Sequence, residues 1–370
     1  MNSSDPLLQP FTLKHLTLKN RIISTSHEPA YSEDGLPKTR YRLYHEEKAK
    51  GGLALTMFGG GTLVAPDAAP AYGNLYAGDD RIVPYFRTLA EAVHRHGAAT
   101  MCQITHLGRR TSSYAGHWLP AIAPSSIREP AHRAFPKAME DWDIRRVVRS
   151  YGAAAIRCRD GDLDGIEVEA YGHLFDSFWS PALNHRADRY GGSLENRMRF
   201  GIEVLQEIRR QVGDDYIVGI RMVFDEMLDG GLAFDEGMKI GEILTNSGLI
   251  DFISVIRGHI ETSAGLADVI PNMGTPGAPY LAFAGEIKQA FDLPVMHAAR
   301  INDVATARYA VREGLLDLVG MTRAHLADPH IVAKIIRGEE DQVRPCVGAG
   351  YCTDRIYGEG EALCLHNPAT

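Results

Sequence analysis

The chain has little cysteine, five residues in 370, and only three tryptophans. Its start, MNSSDPLLQPF, lacks the basic segment and apolar run of a secretory signal, and no apolar stretch approaches the length of a membrane span. Few cysteines without such a signal argue against a disulfide framework and predict a cytoplasmic protein with no membrane insertion. Positive charge is not in excess. The formal net charge of −8 at pH 7 gives no reason to expect nucleic acid or an anionic membrane as partner. No G-x-G-x-x-G follows an early strand, which counts against a doubly wound dinucleotide fold. No lysine closes a strand where a Schiff base would need it, which counts against an aldolase-type barrel.

What is present is the composition of an ordinary globular protein, 45% hydrophobic and 23% charged. The length exceeds the usual single core, with barrel-type α/β folds the known exception. Eight β-rich runs can be read along the chain: 21–25, 53–57, 99–104, 165–169, 216–221, 250–256, 293–297 and 317–321. Amphipathic helical patterns lie between them at 80–96, 142–159, 194–212, 234–246, 280–290, 302–313 and 328–336. Ser193, Asn302 and Asp328 are the expected N-caps, the last with Pro329 at the first helical position. Gly97, Gly213 and Gly314 are expected to end helices. Eight βα units predict an α/β chain forming one (β/α)8 TIM barrel over residues 1–340, followed by a Cys-rich extension over 341–370.

Three of the five cysteines, Cys346, Cys352 and Cys364, crowd into that extension. Thiolates spaced by short Gly-rich segments suit an iron–sulfur cluster, although Ala349 stands where a C-x2-C-x2-C spacing would place a further cysteine. A zinc site and three free thiols are the other readings. In a barrel the chemistry sits where strands end, so the polar residues just after each run are the candidates. They include Ser26, His27 and Glu28; Gln103 and His106; Glu169, Tyr171 and His173; Arg221; Arg257 and His259; and Thr322 with Arg323. The HAARIND and MTRAHLADP loops, with two arginines, predict a phosphorylated cofactor or substrate.

LKNRIISTSHE, QITHLGRR, SPALNHRADRYGGSLENR, GIRM, DLVGMTRAHLADP and the cysteine tail span the whole chain. On these segments it resembles the Old Yellow Enzyme class of FMN barrels, and within it the iron–sulfur flavoproteins such as trimethylamine dehydrogenase and dienoyl-CoA reductase. The nearest resemblance is to demethylases of dimethylglycine and N-methylproline. It implies non-covalent FMN, since Glu28 falls where trimethylamine dehydrogenase has its flavin-linking cysteine. Thr25 and Glu28 after strand 1, and Gly59 or Gly60 on strand 2, would meet the flavin. Gln103 would pair with the pyrimidine edge, Arg221 would face the charge of the reduced ring, and Ala299, Arg300, Thr322 and Arg323 would hold the phosphate.

The sequence EAYGHL replaces the His pair with which ene-reductases grip a carbonyl, which weakens an NAD(P)H-dependent ene- or dienoyl-reductase reading. Amine oxidation instead needs a group that takes a proton from the substrate ammonium, and His173 with Tyr171 is the candidate, Glu169 an alternative. Arg109, Arg257 or His259 would bind a substrate carboxylate, and Phe58, Tyr171 and Trp179 would line a cationic pocket. The resemblance thus predicts oxidation of a small N-methylated amine or amino acid, with release of formaldehyde. Electrons would pass to a downstream acceptor domain or protein, the chain being cut before nucleotide-binding domains and forming a homo-oligomer. A non-catalytic flavin electron-transfer module is the remaining alternative.

Overall fold

The computed structural model describes residues 4–68, 73–111, 119–358 and 360–370. Eight parallel strands close into a barrel in chain order. They are β1 (Ile22–Ser24), β2 (Leu55–Leu63), β3 (Ala99–Thr105) and β4 (Gly165–Ala170). After them come β5 (Ile217–Val223), β6 (Phe252–Ile256), β7 (Val295–His297) and β8 (Leu318–Gly320). Each coincides with one of the eight β-rich runs. The runs are legible because both faces of a barrel strand are buried, giving nearly continuous apolar sequence.

The crossover helices are α1 (Thr39–Lys50), α2 (Val83–His94), α3 (Asp141–Asp160) and α4 (Leu194–Val212). Then follow α5 (Phe234–Ser247), α6 (Leu281–Ala290), α7 (Val304–Arg312) and α8 (Ile331–Arg337). Ser193 caps α4 as expected, its side chain accepting from Asn196 N. Two expected caps are displaced. Asp303, not Asn302, caps α7 through Thr306 N, while Asn302 turns its amide to the Cys346 carbonyl, 2.6 Å away. Asp328 does not cap α8; it accepts from Arg344 N at 2.9 Å and pairs with Lys334 at 2.6 Å, and α8 begins three residues later.

The two ends of the barrel are built differently. At the N-terminal end a hairpin, Phe11–Leu13 paired with Leu16–Leu18, closes the barrel. Its Leu13 and Leu18 pack with Ile23, Leu55, Met57, Met101, Ile217, Phe252, Met296 and Leu318. Phe252 lies in register with Gly219, and a Cβ on Gly219 would come within 2.0 Å of the Phe252 ring. The glycine therefore makes room for the aromatic plug. At the C-terminal end, β2 loses register with β3 between Phe58 and Thr62, with Gly59 and Gly61 at positive φ. The Gly-rich run thus forms a bulge at the rim.

Residues 343–358 and 360–370 lie over the β1, β7 and β8 side of that rim. Ala362 N donates to Pro29 O at 2.9 Å, and Asn367 Nδ2 donates to Leu326 O at 2.9 Å. Gly348 O accepts from Met273 N at 2.8 Å. Its described residues carry one short helix, Tyr351–Tyr357. No helix among the described residues is long and apolar enough to cross a membrane.

Candidate active site

The strand ends and the tail enclose a cavity of about 1170 Å³, counting its open mouth. Thr25, Ser26, His27 and Glu28 follow β1 on one side, and Glu169, Tyr171 and His173 come from β4. Arg221 points from β5, Ala298 and Ala299 follow β7, and Thr322 and Arg323 follow β8. Ile260, Leu266, Val269, Ile270 and Ile356 form an apolar wall. Cys352, Thr353 and Tyr357 of the tail complete the lining.

Buried polar atoms without partners converge here. Nε and Nη1 of Arg221 make no hydrogen bond, and the guanidinium lies 5.6 Å from the Tyr171 ring centroid. On the same barrel wall, His173 Nε2 is 3.5 Å from Glu169 Oε2, close enough for charge interaction but long for a hydrogen bond. His173 is held by its neighbours rather than by this contact. Its N–H donates to Asp176 Oδ1 at 2.9 Å, Gly172 N donates to Asp176 Oδ2 at 2.5 Å, and Leu174–Ser177 forms a single helical turn after it. Burial pushes the Asp176 carboxyl up to about 7. Burial, with the Glu169 charge adding to it, also pushes the Tyr171 phenol far up, so Tyr171 keeps its proton.

Glu28 accepts from Ala30 N at 2.8 Å through one oxygen and leaves the other buried and unpartnered. Burial raises its carboxyl well above the carboxylate range. Gly60 lines the cavity with no room for a side chain, since a Cβ would come within 2.5 Å of Glu28 N. Gly59 does not line it; its N–H donates to the Tyr41 hydroxyl at 2.9 Å. Gln103 lies beneath the lining, accepting from Gly61 N at 3.2 Å and donating to Glu167 Oε1 at 2.7 Å. Ser26 Oγ donates to the same oxygen at 2.7 Å, and Glu167 Oε2 has no partner.

A smaller cavity of about 330 Å³ opens between the β7 and β8 loops, lined by Arg300, Asn302, Gly320, Thr322, Arg323 and Cys346 among others. Ala299 and Arg300 both hold positive φ, 70° and 59°, a conformation that L residues rarely adopt in succession. Arg300 Nη1 is fixed by the Asn272 and Thr275 carbonyls, and its Nε is buried without a partner. Burial lowers the Arg323 pKa, and no ion pair offsets it among the described residues. Thr322 Oγ1 meets Thr25 Oγ1 at 2.6 Å and Thr25 N at 2.9 Å, joining the β8 loop to the β1 loop.

A third cavity, about 370 Å³, is lined by Cys346, Cys352 and Cys364. Cys352 also borders the large cavity and Cys346 the β7–β8 one, so the three are contiguous. Among the described residues no three His, Cys, Asp or Glu side chains come together as ligands of one metal ion. This disfavours the zinc reading. The three cysteines line one cavity and so offer the donor chemistry of an iron–sulfur cluster, without standing together as ligands of a single ion.

Other sequence candidates lie elsewhere, among them His106, whose Nε2 is 3.2 Å from Asp67 Oδ1. Arg109 pairs with Glu261 at 2.5 Å, and Arg257 pairs with Asp225 at 3.1 Å. His259 Nδ1 accepts from Glu261 N at 3.1 Å. Phe58 and Trp179 are fully buried in the outer core. Glu167 was missed, although strand alternation puts it on the same inward face as Glu169. Also missed was the network behind His27, whose Nε2 contacts Tyr44 Oη at 2.7 Å and Lys48 Nζ at 3.3 Å. Lys48 is 1% exposed, and burial holds its pKa well below the usual lysine value. His297, at the end of β7, is neutral, since burial pulls it down to about 4.

A closed (β/α)8 barrel that gathers unmet cationic donors at the ends of β5, β7 and β8 is a barrel that takes an anionic ligand across its mouth. More narrowly, the chain belongs to the NADH:flavin oxidoreductase / NADH oxidase family, whose model matches residues 6–342. It is 57% identical over 367 residues to a probable N-methylproline demethylase of Rhizobium meliloti (strain 1021), covering 99% of this chain and 54% of that protein. It is 55% identical over 369 residues to a multifunctional alkene reductase/demethylase of Caballeronia cordobensis, covering 100% and 53%. Among solved structures, a 2-naphthoyl-CoA reductase complexed with 2-naphthoyl-CoA superposes with a TM-score of 0.91 at 27% identity, covering 98% of this chain and 57% of that one. The chain spans about half the length of the curated relatives it matches.

Proposed function

We propose that this chain carries out oxidative N-demethylation of an N-methylated amine or amino acid with non-covalently bound FMN. The observation that carries the reading is the meeting, in one cavity, of the Arg221 donors left unpartnered and the Glu169–His173 pair. When bound, FMN supplies a two-electron acceptor for the hydride of the N-methyl carbon. Arg221 supplies fixed positive charge where negative charge accumulates, and its buried donors need no rearrangement to do so. Arg300 and Arg323, with the left-handed Ala299–Arg300 backbone, would hold the phosphate. Gln103 is already bonded to Gly61 and Glu167 and keeps one amide hydrogen free for a pyrimidine edge.

An amine gives up hydride only with its nitrogen lone pair free. His173 takes the ammonium proton, and Glu169 Oε2 lies 3.5 Å from its Nε2. Tyr171 stays neutral and offers its ring to the cation. Water then adds to the iminium carbon, and the adduct splits into formaldehyde and the demethylated amine. Cys346, Cys352 and Cys364 would hold an iron–sulfur cluster, which would supply one-electron transfer toward a downstream acceptor, and their cavity adjoins the large one at Cys352.

An alkene reductase is the second reading, favoured by the double name of the Caballeronia relative. Anaerobic mixing of the yellow protein with a panel of N-methylated amino acids, with formaldehyde trapping, tests the proposal. Bleaching with formaldehyde release is expected. Bleaching by NADPH alone, followed by reoxidation with an enone, would replace it with the second reading. In the same assay His173→Asn is expected to be slow near neutrality and to recover as pH nears the substrate amine's own pKa, because solvent then removes the proton. A pH profile parallel to wild type would take His173 out of the base role.

A further inference from the structure

We infer that His366 is the fourth ligand of the cluster, standing in for the cysteine absent at Ala349. The inference rests on the iron–sulfur reading above. Three thiolates leave one iron of a four-iron cluster without a protein ligand. The remaining cysteines do not supply it. Cys102 lies in β3 with its thiol 3.3 Å from Thr62 Oγ1, and Cys158 is buried in α3.

Besides the three cysteines, the side chains lining the 370 Å³ cavity that could ligate iron are those of His366 and Tyr351. A tyrosine must first lose a proton with a pKa near 10 to become a good ligand. Nδ1 of His366 lies 2.7 Å from the Pro345 carbonyl oxygen, which only accepts, so Nδ1 is the donor there and Nε2 is the ring nitrogen left to meet a metal. A ring nitrogen tied to a backbone carbonyl is the usual second support of a metal-bound histidine.

Two further contacts fix the residue to the thiolates. Its backbone N–H donates to Cys364 Sγ at 3.4 Å, a bond that strengthens once the sulfur is anionic. Its ring is tethered to Pro345, the residue before Cys346. His366 therefore joins the two ends of the tail around one cavity. A neutral imidazole in place of an anionic thiolate makes the cluster less negative and easier to reduce.

The test uses the full chain reconstituted anaerobically with iron and sulfide, grown with isotopically labelled histidine. Pulsed EPR of the reduced cluster is expected to show coupling to a histidine nitrogen, absent in His366→Ala, which should hold a three-iron cluster by iron analysis and by its oxidised EPR signal. His366→Cys should keep the four-iron cluster at a lower reduction potential. A reduced four-iron cluster with no histidine coupling, or a four-iron cluster unchanged in His366→Ala, would overturn the ligand assignment while leaving the cluster in place. No iron in any preparation would overturn the cluster reading itself. Should His366→Ala fail to fold, the labelled wild-type spectrum decides alone.

Discussion

The N-terminal end of this barrel is filled by Leu13, Leu18, Leu55, Met101, Phe252 and Leu318. The C-terminal end holds the unpartnered atoms of Arg221, Glu167, Glu169, His173 and His297. Each buried donor or acceptor left unmet costs about 1–3 kcal/mol. The two ends therefore have opposite standing in the stability of the fold. One closes the barrel by apolar burial, and the other holds polar groups in place for a ligand that is not part of the chain. A substitution should tell them apart by whether it moves stability or chemistry.

The largest expected effect is at the closed end. Phe252→Ala should lower unfolding stability by about 3–5 kcal/mol, because the ring fills the space that Gly219 leaves open and nothing adjacent can replace it. Folded molecules should retain their rate of flavin reduction. Urea unfolding of the flavin-free protein measures the first and stopped-flow the second. A loss below about 1 kcal/mol would mean that the hairpin, not the ring, seals the barrel.

Arg221→Met should reverse the pattern. Flavin reduction is expected to slow by about 2–4 kcal/mol of barrier at every pH, if Arg221 acts as a preorganised charge stabiliser. Stability of the flavin-free protein should hold or rise, since two buried donors without partners are removed. A substantial drop in stability would show that Arg221 serves the barrel wall rather than the ligand.

The same contrast explains what the sequence could disclose. All eight strands were legible because barrel burial leaves a local apolar signature. Helix α1 was not among the expected helices, since TRYRLYHEEKAK has no apolar stripe, yet it buries Tyr41, His45, Glu46 and Lys48. Its polar side chains are held by residues distant in sequence, Thr56 for His45 and Ser24 for Lys48, and no local pattern announces that. At the site, position after a strand nominated Glu28, Glu169, Tyr171, His173, Arg221, Thr322 and Arg323, and the resemblance nominated Thr25, Gly60 and Ala299; the structure lines the large cavity with all of these. Arg257, nominated by position, and Arg109, nominated for a substrate carboxylate, have acidic partners, Asp225 and Glu261, far enough along the chain that only the fold reveals the pairing.

The smallest effect concerns the turn that holds His173. Asp176 binds the Gly172 and His173 N–H groups, yet burial lifts its carboxyl to about 7 from an ordinary value near 3.8. Between those values the folded chain keeps a proton that the unfolded chain has released. The unfolded state then binds fewer protons, so stability is full below about pH 4 and falls as pH rises toward 7. The limiting slope is about 1.4 kcal/mol per pH unit. Asp176→Asn removes this titration, so the difference in stability between variant and wild type should shift in the variant's favour as pH rises from 5 to 7. Urea unfolding at a series of pH values reads it directly. A constant difference across that range would show that Asp176 is ionised in the folded chain, its charge held by the two backbone donors, and that this end of the barrel stores less unmet polarity than the Arg221 and Glu169 atoms imply.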